Sequence, residues 1–351
     1  MKILSSFKQG LALTRRTKRM IFFAWFVNVV LAMAIALPTM KQLDGYLRGT
    51  VMDEQILERT DAAWVGTFRA DNEKSEYIRG LDWSVYAYAP FLTHLEMQMN
   101  GAFIKTLATF VSDFFVRWEL NLGPTSLLFF LSLLYVCTHT FLAGGFIGIY
   151  AKEYPSTFTE FLMDGARYFG KFFRVALVAL ILYYLFYFFI VDWMNSSIQS
   201  WTQHEASETV PYRYYMIRNI VVLFMVSLLS MIFDYARVRM VVDERTSSLG
   251  ASVAGARFAF ANFTSTYGLY FLLTAIGFIL IVLYAVVESL IPQNSYWPLV
   301  LLFLVQQLYM LFRLWLKANF YAGQTRLYQA LTAEHHAMSV TATQPSTQHS
   351  G

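Results

Sequence analysis

Long runs of hydrophobic residues alternate with short polar stretches along most of the chain. Six of these runs approach the roughly 20 residues that a helix needs to cross the hydrocarbon core of a membrane. Because backbone amides in lipid must be hydrogen-bonded within their own segment, such runs are expected to be helical. The six predicted spans are Met20–Pro38, Ser126–Tyr150, Arg174–Asp192, Tyr215–Ala236, Tyr267–Glu288 and Trp297–Leu316.

The segment 39–125, between the first two spans, is long and lacks a span of its own. It holds 12 acidic and 8 basic residues. Apolar residues from Phe91 to Phe115 recur at the spacing of an amphipathic helix, and a second helix is expected from Asp53 to about Phe68. We therefore predict a small helical cap on the outer (periplasmic) side, with its acids on a solvated face.

A short internal match indicates a repeat. The triplet Gly-Ala-Arg occupies residues 165–167 and 255–257, which lie 90 residues apart, and the same offset places Thr157 on Ser247. This offset superimposes spans two and three on spans four and five. Many transporters are built from such repeats, although a purely structural duplication gives the same pattern. The predicted repeats are residues 126–195 and 216–285.

Each repeat is predicted to join its two spans by an amphipathic helix on the cytoplasmic side. In the first copy, Thr157 and Glu160 have the Thr-x-x-Glu spacing of a capping box, which marks a helix start. Its predicted polar face contains Glu160, Asp164, Arg167 and Lys171. The second copy starts at 247–248, and its predicted apolar face contains Leu249, Val253, Ala256, Phe260 and Phe263. Such helices are expected to lie in the membrane interface, with docking of a cytoplasmic partner as the alternative.

Small and basic residues on these two helices are candidates for interfacial or partner contacts. Gly165 and Gly255 are expected to let a neighbouring helix approach closely, as small residues do in membranes. Basic side chains of an interfacial helix reach the lipid headgroups or a docked partner. The basic candidates are Arg167, Lys171 and Arg257.

Two charged residues lie at the end of the fourth predicted span. Asp234 and Arg237 are three residues apart on a helix, so we predict an ion pair between them. Contact with a partner or with anionic lipid through Arg237 and Arg239 is the alternative.

Hydrogen-bonding side chains also lie within the predicted spans. Unpaired in hydrocarbon they are costly, so they are expected to face one another inside the bundle. Bonding between helices is the plain interpretation. The functional alternative makes the histidine a proton-linked or substrate-binding group. These intramembrane candidates are Asn28, His139, Gln306 and Gln307.

Composition and charge support a membrane protein with a defined orientation. Apolar residues make up 57% of the chain and charged residues only 14%, which excludes a soluble enzyme or a disordered regulator. The lone cysteine, Cys137, excludes an intrachain disulfide. The inner side holds 17 basic and 7 acidic residues and the outer side 10 and 16. By the positive-inside rule both termini are cytoplasmic, and the net positive charge gives no support for nucleic-acid binding.

The two ends of the chain carry further predictions. Residues 1–19 form a basic cytoplasmic arm with six basic residues and no acid. The first span, 20–38, contains Ala34-Ile35-Ala36, a pattern shared with cleaved signal peptides, but its length favours an uncleaved anchor. The polar segment 331–351 is predicted to be a disordered tail, and 126–330 forms the remaining five-helix membrane region.

A search for catalytic and ligand-binding motifs finds none. The sequence has no zinc-protease spacing, no phosphate-binding loop and no nucleophile elbow. We therefore expect no enzymatic activity, no catalytic residue, no metal and no cofactor.

The paired hairpins give the chain a loose resemblance to known proteins. The two Gly-Ala-Arg helices and the stretch Asp-Tyr-Ala-Arg at 234–237 resemble those of uncharacterised bacterial inner-membrane proteins. They also resemble the membrane domain of some glycerophosphodiester phosphodiesterases. The similarity covers about 126–331 and implies architecture only, because this chain has no phosphodiesterase domain.

The sequence thus predicts an all-α bundle of six transmembrane helices in a bacterial inner (cytoplasmic) membrane. Two repeated hairpins, interfacial cytoplasmic helices and a small helical outer cap complete the expected architecture. The predicted role is a subunit or scaffold of a membrane assembly, with membrane lipids and membrane proteins as partners. The alternative is a transporter or permease component for a lipid-like or apolar cargo.

Overall fold

The structure, a computed structural model, describes residues 2–47, 62–73, 124–152, 154–205, 207–244, 247–292 and 295–343. Within these ranges every regular element is a helix. The helices are α1 (Lys2–Arg16), α2 (Lys18–Leu47), α3 (Ala62–Asp71), α4 (Pro124–Ala151), α5 (Phe158–Leu185), α6 (Asp192–Thr202), α7 (Thr209–Val242), α8 (Ser248–Ala261), α9 (Phe263–Leu290) and α10 (Tyr296–Thr343). A π-helix of six residues, Phe186–Val191, joins α5 to α6.

Six helical segments in the described ranges are long and apolar enough to cross a membrane. This confirms the predicted all-α architecture with six candidate spans and supports a multi-pass membrane protein. The helices extend beyond the predicted spans because their polar ends continue the helix; Pro38, the predicted end of the first span, lies inside α2. The segments are Lys18–Lys41, Leu133–Ala151, Phe158–Thr202, Thr209–Val242, Phe263–Leu290 and Tyr296–Glu334.

The larger buried core lies at one end of the bundle, and a smaller one lies between the π-helix and α7. The end with the larger core, called the packed end below, comprises α1, α8 and the adjoining parts of α4, α5, α7, α9 and α10. Its largest fully buried side chains include Tyr150, Phe161, Tyr235, Leu269 and Leu327. Farther along α9 and α10, large apolar side chains are exposed, such as Phe278 at 61% and Phe303 at 55%. Such surfaces suit contact with lipid, whereas tertiary packing is concentrated at the packed end.

Glycines on α4 bring it into close contact with α5. A Cβ atom at Gly145 would lie 2.7 Å from the Phe161 carbonyl oxygen, and one at Gly148 would lie 2.6 Å from the Cβ of Asp164. Close helix approach of this kind is what small residues permit in membrane bundles. The two helices therefore form a tight hairpin at the packed end.

Helix α1 packs along the last part of α10. A Cβ atom at Gly10 would lie 2.8 Å from the backbone nitrogen of Gly323. Thr14 Oγ1 donates a hydrogen bond of 2.9 Å to Asn319 Oδ1 one turn farther along. The basic arm predicted for 1–19 is therefore mostly helical and is part of the packed end.

The two predicted interfacial helices differ from each other in the structure. The first is not separate, because α5 is continuous from Phe158 to Leu185 and so runs from the predicted interfacial helix into the third span. The second is separate, since α8 ends at Ala261 and Asn262 interrupts the helix before α9.

The N-caps of α5 and α8 lie 90 residues apart. Thr157 and Glu160 form the predicted capping box, with the Thr157 N–H donating to Glu160 Oε2 at 2.7 Å and the Glu160 N–H donating to Thr157 Oγ1 at 3.2 Å. Ser247 caps α8, where its Oγ accepts from the Gly250 N–H at 3.2 Å. Farther along the two hairpins this correspondence ends. At an offset of 90 residues the π-helix Phe186–Val191 falls within α9, which is a continuous α-helix.

Two predicted segments differ in extent from what the structure describes. Residues 331–343 belong to α10, which corrects the start of the predicted disordered tail; 344–351 lie outside the described residues. The predicted cap helix over 91–115 also lies outside them. Of the helix predicted from Asp53 to Phe68, the described part is the start of α3.

Candidate functional site

Two of the four intramembrane candidates meet directly. His139 Nε2 on α4 lies 3.1 Å from Asn28 Oδ1 on α2. The Asn28 amide also donates to the Ala24 carbonyl at 2.7 Å, and the His139 ring lies 4.1 Å, centroid to centroid, from that of Tyr135. Both polar side chains are half-buried, so this contact joins the first two spans as the sequence predicts.

The two glutamines have separate partners. Gln307 Oε1 accepts a hydrogen bond of 3.1 Å from Trp25 Nε1 on α2. Gln306 lies close to the Tyr284 side chain on α9. The four polar candidates thus form separate contacts between neighbouring helices rather than one cluster. Each partner pair satisfies groups that lipid would leave unbonded.

Basic side chains lie near the histidine. Arg313 and Lys317 on α10 are within electrostatic range of His139, and both are exposed. Cations at the end of an apolar helix are typical of the membrane interface. His139 therefore lies closer to a charged boundary than its place in the middle of the predicted span indicates.

The predicted ion pair is present at the packed end and has a third member. Arg237 Nη1 lies 3.1 Å from Asp234 Oδ1. Gln324 on α10, whose side chain is fully buried, donates to Asp234 Oδ2 at 3.3 Å. The sequence predicted the Asp234–Arg237 pair within α7. It did not predict the hydrogen bond from Gln324 of α10, because Asp234 and Gln324 are 90 residues apart in the chain.

We expect Asp234→Ala to lower stability in detergent. The change removes the acceptor of both Arg237 and Gln324 at a site where the Asp234 side chain is only 17% exposed. A buried donor that is left without an acceptor lowers the free energy of unfolding by about 1–3 kcal/mol. The unfolding midpoint measures the effect, with Glu208→Ala as the control because Glu208 is exposed and makes no side-chain cap bond. Equal midpoints for the two variants would contradict the structural role of Asp234.

A second carboxylate ties the end of α7 to α8 and α10. Asp243 Oδ2 accepts from Arg239 Nε at 2.9 Å, and the Tyr328 hydroxyl lies 3.0 Å from each Asp243 oxygen. Arg239 Nη1 also donates to the Ala254 carbonyl of α8 at 3.0 Å. Arg239 therefore has protein partners, which weakens the predicted role in lipid or partner contact.

Asp164 is buried, which corrects its predicted place on a polar face. It lies against Gly148 of α4, and its Oδ2 is 2.8 Å from Lys152 Nζ. Burial lowers the pKa of Lys152, but the close negative charge of Asp164 outweighs this effect and raises the pKa above its ordinary value. The pair therefore links the last turn of α4 to α5.

The remaining predicted residues of these two helices have mixed environments. A Cβ atom at Gly165 would lie 2.9 Å from the Phe141 ring, and one at Gly255 would lie 2.7 Å from the Ala236 nitrogen. Both glycines therefore lie at close helix contacts. Three basic residues of these helices remain. Arg167 forms an ion pair with Glu244 at 3.1 Å, and Lys171 Nζ lies 5.7 Å from the centroid of the Tyr168 ring. Arg257 is exposed.

Helix α8 packs through its small residues and exposes its large ones. Ala251, Gly255 and Ala259 are buried against the bundle, whereas Leu249 and Val253 are 66% and 64% exposed. Phe260 is also exposed, at 54%. The predicted apolar face of this helix is therefore an outward surface of the packed end, called the α8 face below.

A groove lies between the start of α2 and the middle of α10. Its volume is about 180 Å³, and Lys18 is the one charged residue among those that line it. The other lining residues are Ile21, Phe22, Leu308, Leu311, Phe312 and Trp315. The sequence patterns did not predict this groove, because it depends on how two spans far apart in the chain are placed side by side.

No protein-family model, curated protein or solved structure matches the chain. Among the described residues, no group of three or more histidine, cysteine or acidic side chains converges as metal ligands do. The features that remain are the polar contacts between spans, the α8 face and the groove.

Proposed function

We propose that the chain is a subunit or scaffold of an assembly in a bacterial inner membrane. In this proposal the packed end and both termini face the cytoplasm, because the excess of basic residues lies on that side. The spans anchor the protein, and the packed end presents a fixed surface to a partner. The resemblance to other inner-membrane proteins agrees with this role but adds no activity.

The α8 face is the observation that carries the proposal. Its exposed residues Leu249, Val253 and Phe260 lie on a helix held rigidly through Gly255, where the Ala236 backbone is in close contact. Clustered apolar side chains on a surface mark contact with a protein or a membrane. A docked partner would bury the large side chains that the close packing of α8 leaves on the outside.

Site-specific photo-crosslinking tests this proposal in native membranes. We expect a crosslinker at Leu249 to give one stoichiometric protein adduct, whereas a crosslinker at Phe278 on the exposed part of α9 gives lipid adducts. Val253→Ser is expected to reduce the protein adduct several-fold without lowering the unfolding midpoint, because Val253 is 64% exposed. Lipid adducts alone at Leu249 would mean that the α8 face lies in the membrane interface.

The second candidate function is a transporter or permease component for a lipid-like cargo. The Asn28–His139 contact favours it, because a histidine inside the bundle is suited to proton-linked or substrate-binding roles. The N-caps of α5 and α8, which lie 90 residues apart, support a repeat in this part of the two hairpins. Lipid movement between the leaflets of reconstituted vesicles tests this function. His139→Ala is expected to abolish the movement while the protein stays folded, and unchanged movement contradicts it.

A further inference from the structure

The groove between α2 and α10 combines an apolar lining with a single cation. Lys18 lies at the start of α2, and aromatic and aliphatic side chains of both helices form the rest of the lining. Three of these are well exposed, with Phe22 at 54%, Leu308 at 53% and Phe312 at 44%. The groove therefore opens sideways from the bundle, within two helices that are long and apolar enough to cross a membrane.

The charges that α2 and α10 carry near the groove have one sign. Residues 1–43 contain no acid, and neither do residues 296–333 of α10. Arg19, Arg313 and Lys317 are exposed near the same stretch of the two helices. Because the two helices that form the groove carry only cations in this region, an occupant with a negative charge is favoured there.

We propose that this groove binds one anionic phospholipid of the inner leaflet. An acyl chain lies along Phe22, Leu308 and Phe312, and the phosphate contacts Lys18 where the groove ends. Trp315 lines the same region, and tryptophan is typical of the headgroup level. An extended peptide segment fits less well, because the groove faces the hydrocarbon and an extended backbone there lacks hydrogen-bond partners.

The binding site does not depend on the proposed scaffold role. It concerns the isolated chain and uses residues of α2 and α10, whereas the proposed partner contacts α8. Failure to find a protein partner therefore leaves the lipid proposal intact, and failure of lipid binding leaves the partner proposal intact.

Lipid binding is tested on the purified full-length chain in detergent. Native mass spectrometry counts bound phosphatidylglycerol and, as the neutral comparison, phosphatidylcholine of the same acyl chains. We expect one phosphatidylglycerol to be retained in preference to phosphatidylcholine. Lys18→Gln should weaken this binding about five-fold, which is the effect of one basic residue at an anionic surface.

Matched variants distinguish lipid binding in this groove from a general attraction of anionic lipid to basic residues. Lys8→Gln removes the same charge from an exposed position on α1 and is expected to leave binding unchanged. Phe312→Ala is expected to weaken phosphatidylglycerol binding, because the acyl chain loses part of its contact. Equal losses in Lys8→Gln and Lys18→Gln, equal retention of both lipids, or displacement by inorganic phosphate alone would each overturn the proposal.

Discussion

Gly145→Ala is expected to destabilise the protein by about 3 kcal/mol, the upper end of the range for overpacking a tight contact. The new Cβ atom would lie 2.6 Å from the Phe161 ring and 2.7 Å from its carbonyl oxygen. A ring can rotate aside, but a carbonyl oxygen moves only with its helix. Helices α4 and α5 must therefore separate, which also disturbs the nearby contact of Gly148 with Asp164.

Gly170→Ala is the matched control for this change. Gly170 lies within α5, and no atom outside its own helical backbone lies within 4 Å of the added Cβ. Alanine at an open helical position is favoured over glycine by up to about 1 kcal/mol. The unfolding midpoint in detergent should thus fall for Gly145→Ala and stay level or rise for Gly170→Ala. Similar midpoints for both variants would show that α4 and α5 adapt without cost.

Lys152→Met is expected to cost about 3–5 kcal/mol, as removal of one partner from a buried ion pair does. The Asp164 side chain is 8% exposed and that of Lys152 is 24% exposed. The methionine keeps most of the length of the side chain but removes its charge, so the buried Asp164 carboxylate loses its cation. Gly148 of α4 packs against the same side chain and keeps the carboxylate buried.

Two further variants identify the cause of this loss. Adding Asp164→Ala to Lys152→Met is expected to recover much of the stability, because the uncompensated charge is then absent. Arg167→Met breaks the Arg167–Glu244 pair, whose side chains are 60% and 70% exposed, and exposed pairs contribute only about 0–1 kcal/mol. Equal unfolding temperatures for Arg167→Met and Lys152→Met would contradict the prediction that the buried Lys152–Asp164 pair stabilises the fold more than an exposed pair does.

The pH dependence of the Lys152–Asp164 pair follows from the raised pKa of Lys152. Because this pKa is higher in the folded chain than in the unfolded chain, protonation of Lys152 contributes its full stabilisation at pH values below 10.5, the ordinary value for lysine. The stabilisation is lost as the pH rises through the raised value. Unfolding measured between pH 7 and 9 is therefore expected to show the whole difference between the native chain and Lys152→Met.

Sequence patterns predicted the features that depend on neighbours in the chain. Six apolar runs identified the helices that are long and apolar enough to span a membrane, because hydropathy acts over one segment at a time. The Asp234–Arg237 pair and the capping box of Thr157 and Glu160 also followed, since their partners are three residues apart. The polar residues Asn28 and His139 were expected to find partners because hydrocarbon offers none.

The tertiary structure decided which side chains meet across the bundle. Asp164 belongs by its periodicity to a polar face, yet Gly148 brings α4 so close that the carboxylate is buried beside Lys152. The large apolar residues of α8 point outward because Gly255 packs against the Ala236 backbone, and a close helix crossing admits only small side chains. The sequence by itself determined where the helices form and how unevenly the charges are distributed along the chain, because both depend on the local composition of each segment. The buried pair, the α8 face and the groove depend on distances between segments far apart in the chain, which only the packing of helices sets.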